Sequence, residues 1–127
     1  MRRFLSRYVA PVAVAGAVLV GVSACSGGAS TEAVAPSEDA VIVDVRSPSE
    51  YEAGHLNGAV LLDLNAGQFA AELPTLDPEA EYLVYCRSGN RSGQAVAMME
   101  GEGFVNVTDL GSMENASEVT GIEIVTD

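Results

Sequence analysis

The sequence predicts an α/β fold with a parallel central sheet and helices on both faces. Three observations carry this. Short apolar runs alternate with helix-like stretches, one of those runs lacks the every-second-residue pattern of a half-exposed strand, and proline or glycine closes each helical stretch. A strand, helix, strand, helix order implies parallel strands joined by helical crossovers, which cover the sheet.

In chain order, Val41-Ile42-Val43-Asp44-Val45 reads as the first strand and Ala59-Val60-Leu61-Leu62 as the second. Residues 65–73 read as a helix ended by Pro74. Glu81-Tyr82-Leu83-Val84-Tyr85 is the run without clean alternation, which predicts a strand buried on both faces. Residues 92–100 read as a second helix, stopped by Gly101 and Gly103. Val105-Asn106-Val107-Thr108 and Ile122-Glu123-Ile124-Val125 supply two further strands. Met98 and Met99, on the second helix, read as core filling rather than as ligands.

Ahead of this domain, a basic start from Met1 to Arg7 precedes an Ala/Val/Gly-rich apolar run that is too short for a stable membrane span. It reads as a secretory signal. Its end, Val22-Ser23-Ala24-Cys25, resembles the lipobox of bacterial lipoproteins, which implies cleavage before Cys25 and lipid attachment to that residue. The expected organisation is therefore a signal peptide over 1–24, a flexible tether over 25–39 rich in small and polar residues, and a single domain over 40–127. The expected location is extracytoplasmic, on a bacterial membrane, with a monomer held by its lipid.

Charge limits the partners. Cleavage would remove three arginines and no acids from a chain of formal net charge −12, leaving −15. Such a surface repels nucleic acid and anionic headgroups, so membrane attachment has to come through acyl chains.

The same cleavage leaves Cys86 as the one free thiol, in a compartment where thiols tend to be oxidised. Cys86 closes the buried strand and opens the turn Cys86-Arg87-Ser88-Gly89-Asn90-Arg91-Ser92. In open α/β sheets ligands bind where a strand's carboxyl end turns into a helix. Gly89 and Asn90 tolerate unusual backbone angles, so several N–H groups are expected to aim at the sulfur. The helix start contributes roughly 0.3 to 1 kcal/mol toward an anion. A full arginine charge at about 4 Å contributes on the order of 4 kcal/mol at an effective dielectric of 20. The thiol pKa is therefore expected to lie below its ordinary value. The chain contains no lysine, and Arg46, Arg87 and Arg91 are the only cations beyond the leader.

At this point the residues resemble the rhodanese-like sulfurtransferases. The cysteine turn is similar to the active-site loop of that family. Asp44-Val45-Arg46-Ser47-Pro48-Ser49-Glu50-Tyr51 and Gly54-His55-Leu56-Asn57-Gly58-Ala59 are similar to two upstream segments, and Gly101-Glu102-Gly103-Phe104-Val105-Asn106-Val107 stands in the usual place after the loop. The resemblance covers about residues 38–126. It implies sulfane sulfur transfer from thiosulfate or a persulfide donor to a thiol or cyanide through a Cys86 persulfide. Arg87, Ser88, Gly89, Asn90 and Arg91 would bind the anionic donor, with Arg91 turned over the pocket, and no metal or cofactor is implied. One departure is plain: Ala116 stands where the family has a tryptophan, so the terminal segment is expected to be loosely held unless Phe104, Met113 or Val119 compensates.

Other chemistries fit poorly. A phosphate-cleaving cysteine loop needs arginine one position later, where this chain has Ser92, and a histidine commonly precedes its cysteine, where this chain has Tyr85. With no lysine there is no P-loop, and one histidine with one remaining thiol cannot form a cysteine/histidine metal cluster. His55 and Asp44 read as structural, with Asp44 accepting backbone N–H bonds, and Arg46 is expected to pair with Glu50. Two alternatives stay open: a thiol redox or persulfide-sensing protein, and a non-catalytic rhodanese-like binding module.

Overall fold

Five consecutive buried residues, Tyr82–Cys86, form the centre of the sheet, as their unbroken apolar character requires. The computed structural model describes residues 30–126, so the expected signal peptide over 1–24 and Cys25 lie outside the described residues. Strands β1 (Val41–Asp44), β3 (Val60–Leu61), β4 (Tyr82–Cys86) and β5 (Val107–Ser112) make one parallel sheet in the order β3-β1-β4-β5. A short antiparallel pair, β2 (His55–Leu56) with β6 (Ile124–Val125), ties the end of the chain back to its first third.

Alternation along the central strands divides the core in two. Val43, Tyr82, Val84 and Cys86 face one cluster, completed by Phe69 of helix α2 (Gln68–Glu72), Leu73 of the 3-10 turn that follows, and Ala95, Val96 and Met99 of helix α3 (Asn90–Gly101). Ile42, Leu83 and Tyr85 face the other, closed by Ala116 and Val119 of helix α4 (Met113–Thr120) and by Leu56 and Leu110. The helices thus cover both faces, as the sequence predicted.

Several elements differ from expectation. The strand anticipated at 105–108 begins two residues later and runs on to Ser112, because pairing with β4 fixes its register, and Val105 is left 80% exposed. Polar Thr108 and Asp109 hid that strand from a hydrophobicity reading. Helix α1 (Pro48–Ala53) was not anticipated, although Ser47 and Glu50 form a capping box ahead of it, with proline in the first turn. Helix α4 was missed as well; Ser112 caps its start by accepting the Asn115 N–H at 3.1 Å, and Gly121 at φ 74° ends it. Neither segment has a long apolar stripe, so only the caps mark them.

The terminal segment is firmly held despite Ala116. That alanine is fully buried, Val119 and Met113 pack beside it, and the Ser117 hydroxyl donates to the Ile122 carbonyl at 2.6 Å. Phe104 packs in the opposite cluster and does not compensate. The stretch expected to be a flexible tether also contacts the domain from Ser30 onward. The Ser30 N–H donates to the Asp109 carbonyl at 3.0 Å, the Val34 N–H donates to the Val119 carbonyl at 2.7 Å, and the Val34 side chain packs on the second cluster.

Candidate active site

The carboxyl end of β4 delivers Cys86 into a turn whose shape glycine sets. Gly89 sits at φ 94°, a left-handed conformation open to glycine, and a Cβ there would lie 3.6 Å from the Cα of Gly111. Gly111 follows a one-residue irregularity in β5, where Leu110 is skipped in the pairing with β4. The loop therefore rests directly on the neighbouring strand. Helix α3 starts at Asn90, two residues earlier than the sequence suggested, which tightens the turn.

The Gly89 N–H donates to the Cys86 Sγ at 2.9 Å. Cys86 Sγ donates to Ser92 Oγ at 3.5 Å, and Ser92 Oγ donates to the Gly89 carbonyl at 3.2 Å. The serine has one hydroxyl proton. When the thiol is protonated that proton is directed at Gly89, and when the thiol ionises the hydroxyl is free to turn and donate to sulfur. Ser92 is fully buried, and it was read from the sequence only as a helix residue. Its position in the first turn after the loop was the available signal.

Burial of Cys86 pushes its thiol up, but hydrogen bonds from the Ser92 hydroxyl and N–H, and from the Gly89 and Ser88 N–H groups, outweigh that, and the net direction is down. The expected depression is present, with a different leading cause. Hydrogen bonds, rather than arginine charge, carry the lowering. Replacing Ser92 with alanine is expected to raise the thiol pKa, since the thiolate then loses the hydroxyl that donates to it. Thiolate ultraviolet absorbance against pH measures it; an unmoved titration would deny Ser92 this role.

Arg91 is engaged in a way the sequence did not reveal. Its Nη1 and Nη2 donate to the two carboxylate oxygens of Glu50 at 2.8 and 3.0 Å, a bidentate pair between the loop and α1. Glu50 Oε2 also accepts from the Ser47 N–H at 2.9 Å and from its hydroxyl at 3.0 Å. The Arg91 hydrogen bonds, helped by those of Ser47, hold the Glu50 carboxyl down at about 2. Its contribution to stability is present above the ordinary value of 4.5 and is lost as pH falls from there toward 2. Side-chain exposures of 20% and 23% let solvent screen the pair, so about 1 kcal/mol is expected. In urea unfolding, the gap between wild type and Glu50→Gln should therefore narrow from pH 7 to pH 3.

Arg46 pairs with Asp44, and not with Glu50 as expected, because both side chains turn inward from the end of β1. Arg46 Nε donates to the Asp44 oxygens at 3.0 and 3.1 Å, and Nη2 donates to Oδ2 at 2.7 Å and to the Gly54 carbonyl at 2.6 Å. Asp44 also accepts the Arg46 N–H at 2.9 Å, the backbone role foreseen for it, and the Tyr85 hydroxyl at 2.8 Å. The Leu56 N–H in turn donates to that hydroxyl at 3.0 Å. This buried network joins β1, β2 and β4 directly beneath the loop. His55 is buried, stacked on Tyr51 at 3.7 Å, with its Nδ1 2.8 Å from the Tyr51 carbonyl, a packing role.

Of the residues singled out from the sequence, the structure brings Cys86, Ser88 and Gly89 together around the sulfur. Asn90 starts α3, and its side chain accepts from Gln94 at 2.7 Å. Arg87 is exposed and lies at the rim, where it lines a cavity of about 180 Å³ with Arg46, Glu50, Ala53, Gly54, Met113 and Glu114.

Comparison with known proteins agrees with this fold. The chain is 44% identical over 71 residues to a thiosulfate sulfurtransferase, GlpE, of Pseudomonas entomophila, covering 56% of this chain and 63% of that one. The chain thus spans somewhat under two thirds of that relative's length. A sulfurtransferase of Allochromatium vinosum is 30% identical over 80 residues, covering 63% of this chain and 73% of the relative. A solved rhodanese from Escherichia coli, described with anions, superposes with a TM-score of 0.56 at 27% identity, covering 69% of this chain and 99% of that one. The family model of the rhodanese-like domain matches residues 30–118, and with the cysteine turn seated at the end of the central strand, the chain belongs to that family.

Proposed function

We propose that this chain is a sulfurtransferase that carries sulfane sulfur on Cys86, taking it from thiosulfate or a persulfide donor and passing it to a thiol or cyanide. The observation that carries the reading is the sulfur cradle: a thiol with lowered pKa, held by loop N–H groups and the buried Ser92 hydroxyl. In the first step the thiolate attacks the outer sulfur of thiosulfate. A sulfur–sulfur bond forms, the bond to the sulfite sulfur breaks, and sulfite leaves with the electron pair. The terminal sulfur of the persulfide then carries the negative charge, for which the loop amides are the natural donors. In the second step an acceptor nucleophile takes that sulfur, and the electron pair returns to Cys86.

The anionic donor is drawn locally by Arg87, since Arg91 is committed to Glu50. The same reading places the domain outside the cytoplasm, tethered through lipid on Cys25 and acting as a monomer without nucleic-acid partners. The test is direct: incubate the protein with thiosulfate and record its intact mass. One added sulfur atom, removed by cyanide, is expected; an unchanged mass would sink the proposal.

A further inference from the structure

The strand beside the cysteine loop carries a break in register, and two side chains outside the loop hold it. Strand β5 lies at the edge of the parallel sheet, with β4 as its neighbour. Val84 stands opposite Asp109 and Tyr85 opposite Gly111, so the ladder slips by one residue and Leu110 is passed over. Such bulges are rare between parallel strands, and they re-aim the chain where they occur. In an unbroken ladder Leu110 would stand opposite Tyr85. The break puts Gly111 there instead, at φ 74°, and a Cβ on Gly89 would lie 3.6 Å from the Gly111 Cα. Gly89 is the residue whose N–H donates to the Cys86 Sγ at 2.9 Å. The break in β5 is therefore the floor under the sulfur cradle.

An edge strand has one ladder to fix its register, so a slipped residue there needs side-chain partners for its backbone groups. Asp109 supplies one: its Oδ1 accepts the Gly111 N–H at 2.9 Å, while its Oδ2 lies 3.6 Å from where a Cβ on Gly93 of α3 would stand. Asn115 of α4 supplies the other: its Nδ2 donates to the Leu110 carbonyl at 2.7 Å and to the Ser30 carbonyl at 2.8 Å. The two side chains thus grip the break from both ends, and both are half-buried. We propose that Asp109 and Asn115 are positioning residues for sulfur transfer, holding Leu110 and Gly111 so that Gly111 supports Gly89 while its N–H points at Cys86. Neither residue touches the sulfur. The role serves the sulfur-transfer reading and rests on it for the reaction concerned, whereas the thiol itself reports the positioning without any transfer.

The experiment titrates the Cys86 thiol by ultraviolet absorbance, taken as the difference from Cys86→Ser, and follows single-turnover loading from thiosulfate on the acid side of the wild-type midpoint. Asp109→Ala and Asp109→Asn remove the same charge, and only asparagine keeps an acceptor for the Gly111 N–H. Asp109→Ala is expected to titrate at higher pH than Asp109→Asn and to load about five-fold more slowly, the worth of one hydrogen bond. Asn115→Ala is expected to move the midpoint upward from wild type. Val119→Ala, which loosens the packing of the same helix without touching the break, is expected to leave the midpoint in place. Equal midpoints for the two Asp109 variants, or a shift in Val119→Ala as large as that in Asn115→Ala, overturns the positioning role. If Asp109→Ala does not fold, the comparison of Asn115→Ala with Val119→Ala decides alone. A wild type that takes no sulfur from thiosulfate sinks the transfer reading, and the midpoints then still decide whether these two residues set the cradle.

Discussion

Cys86→Ser is expected to take up no sulfur at all from thiosulfate, while the wild type gains one atom per chain. A serine hydroxyl at neutral pH is almost wholly protonated and forms no bond to sulfur that could be passed on, so the loss is complete rather than partial. The variant should nevertheless fold. Serine is smaller than cysteine and accepts the Gly89 N–H in the same place, so the loop keeps its principal internal hydrogen bond. The cost of burying one hydroxyl in place of a thiol is about 1 kcal/mol when a partner is present, and Ser92 provides one. Intact mass after thiosulfate treatment and urea unfolding together make the test. A folded serine variant that still acquires sulfur would move the chemistry away from this loop, and no other cysteine exists among the described residues.

Asp44→Ala is expected to destabilise the domain by about 3 to 5 kcal/mol, the range for stripping one partner from a buried ion pair. Arg46 is only 4% exposed and makes three of its bonds to this carboxylate, so the alanine strands a guanidinium with the Gly54 carbonyl as its remaining partner. The Tyr85 hydroxyl loses its acceptor as well. Against a typical total of about 5 to 15 kcal/mol, the loss is large. Removing both charges together, as Asp44→Leu with Arg46→Met, should be much milder than the single change, because no charge is then left buried alone. Denaturant midpoints of the single and double variants decide it. If Asp44→Ala unfolds no more easily than the double variant, the network beneath the loop is not what holds these strands together.

The two variants separate chemistry from scaffold. Cys86, the proposed nucleophile, sits at the end of β4, whereas Asp44, Arg46 and Tyr85 form a buried network that fixes the relative positions of β1, β2 and β4. The loop can hold the sulfur against its N–H groups only if β4 and β5 stay in register, since Gly89 packs on Gly111.

Fold class and the position of Cys86 were legible in the chain because both are written in contiguous residues. An apolar run without alternation becomes the central strand, and the cysteine that ends it must sit at the sheet's carboxyl edge. Helices α1 and α4 were not legible through hydrophobicity, since α1 buries no residue at all and α4 buries only Ala116 and Val119. Their caps carried the information.

What the sequence by itself determined is the α/β layering, the place of Cys86 and a loop of N–H donors, all consequences of local periodicity and turn chemistry. Tertiary structure alone decided which charge meets which. Glu50 and Arg91 are 41 positions apart, and Arg46 had a near acid on either side. Such choices follow from how close packed elements bring side chains and how much water they exclude, and neither quantity is a property of a short stretch of chain.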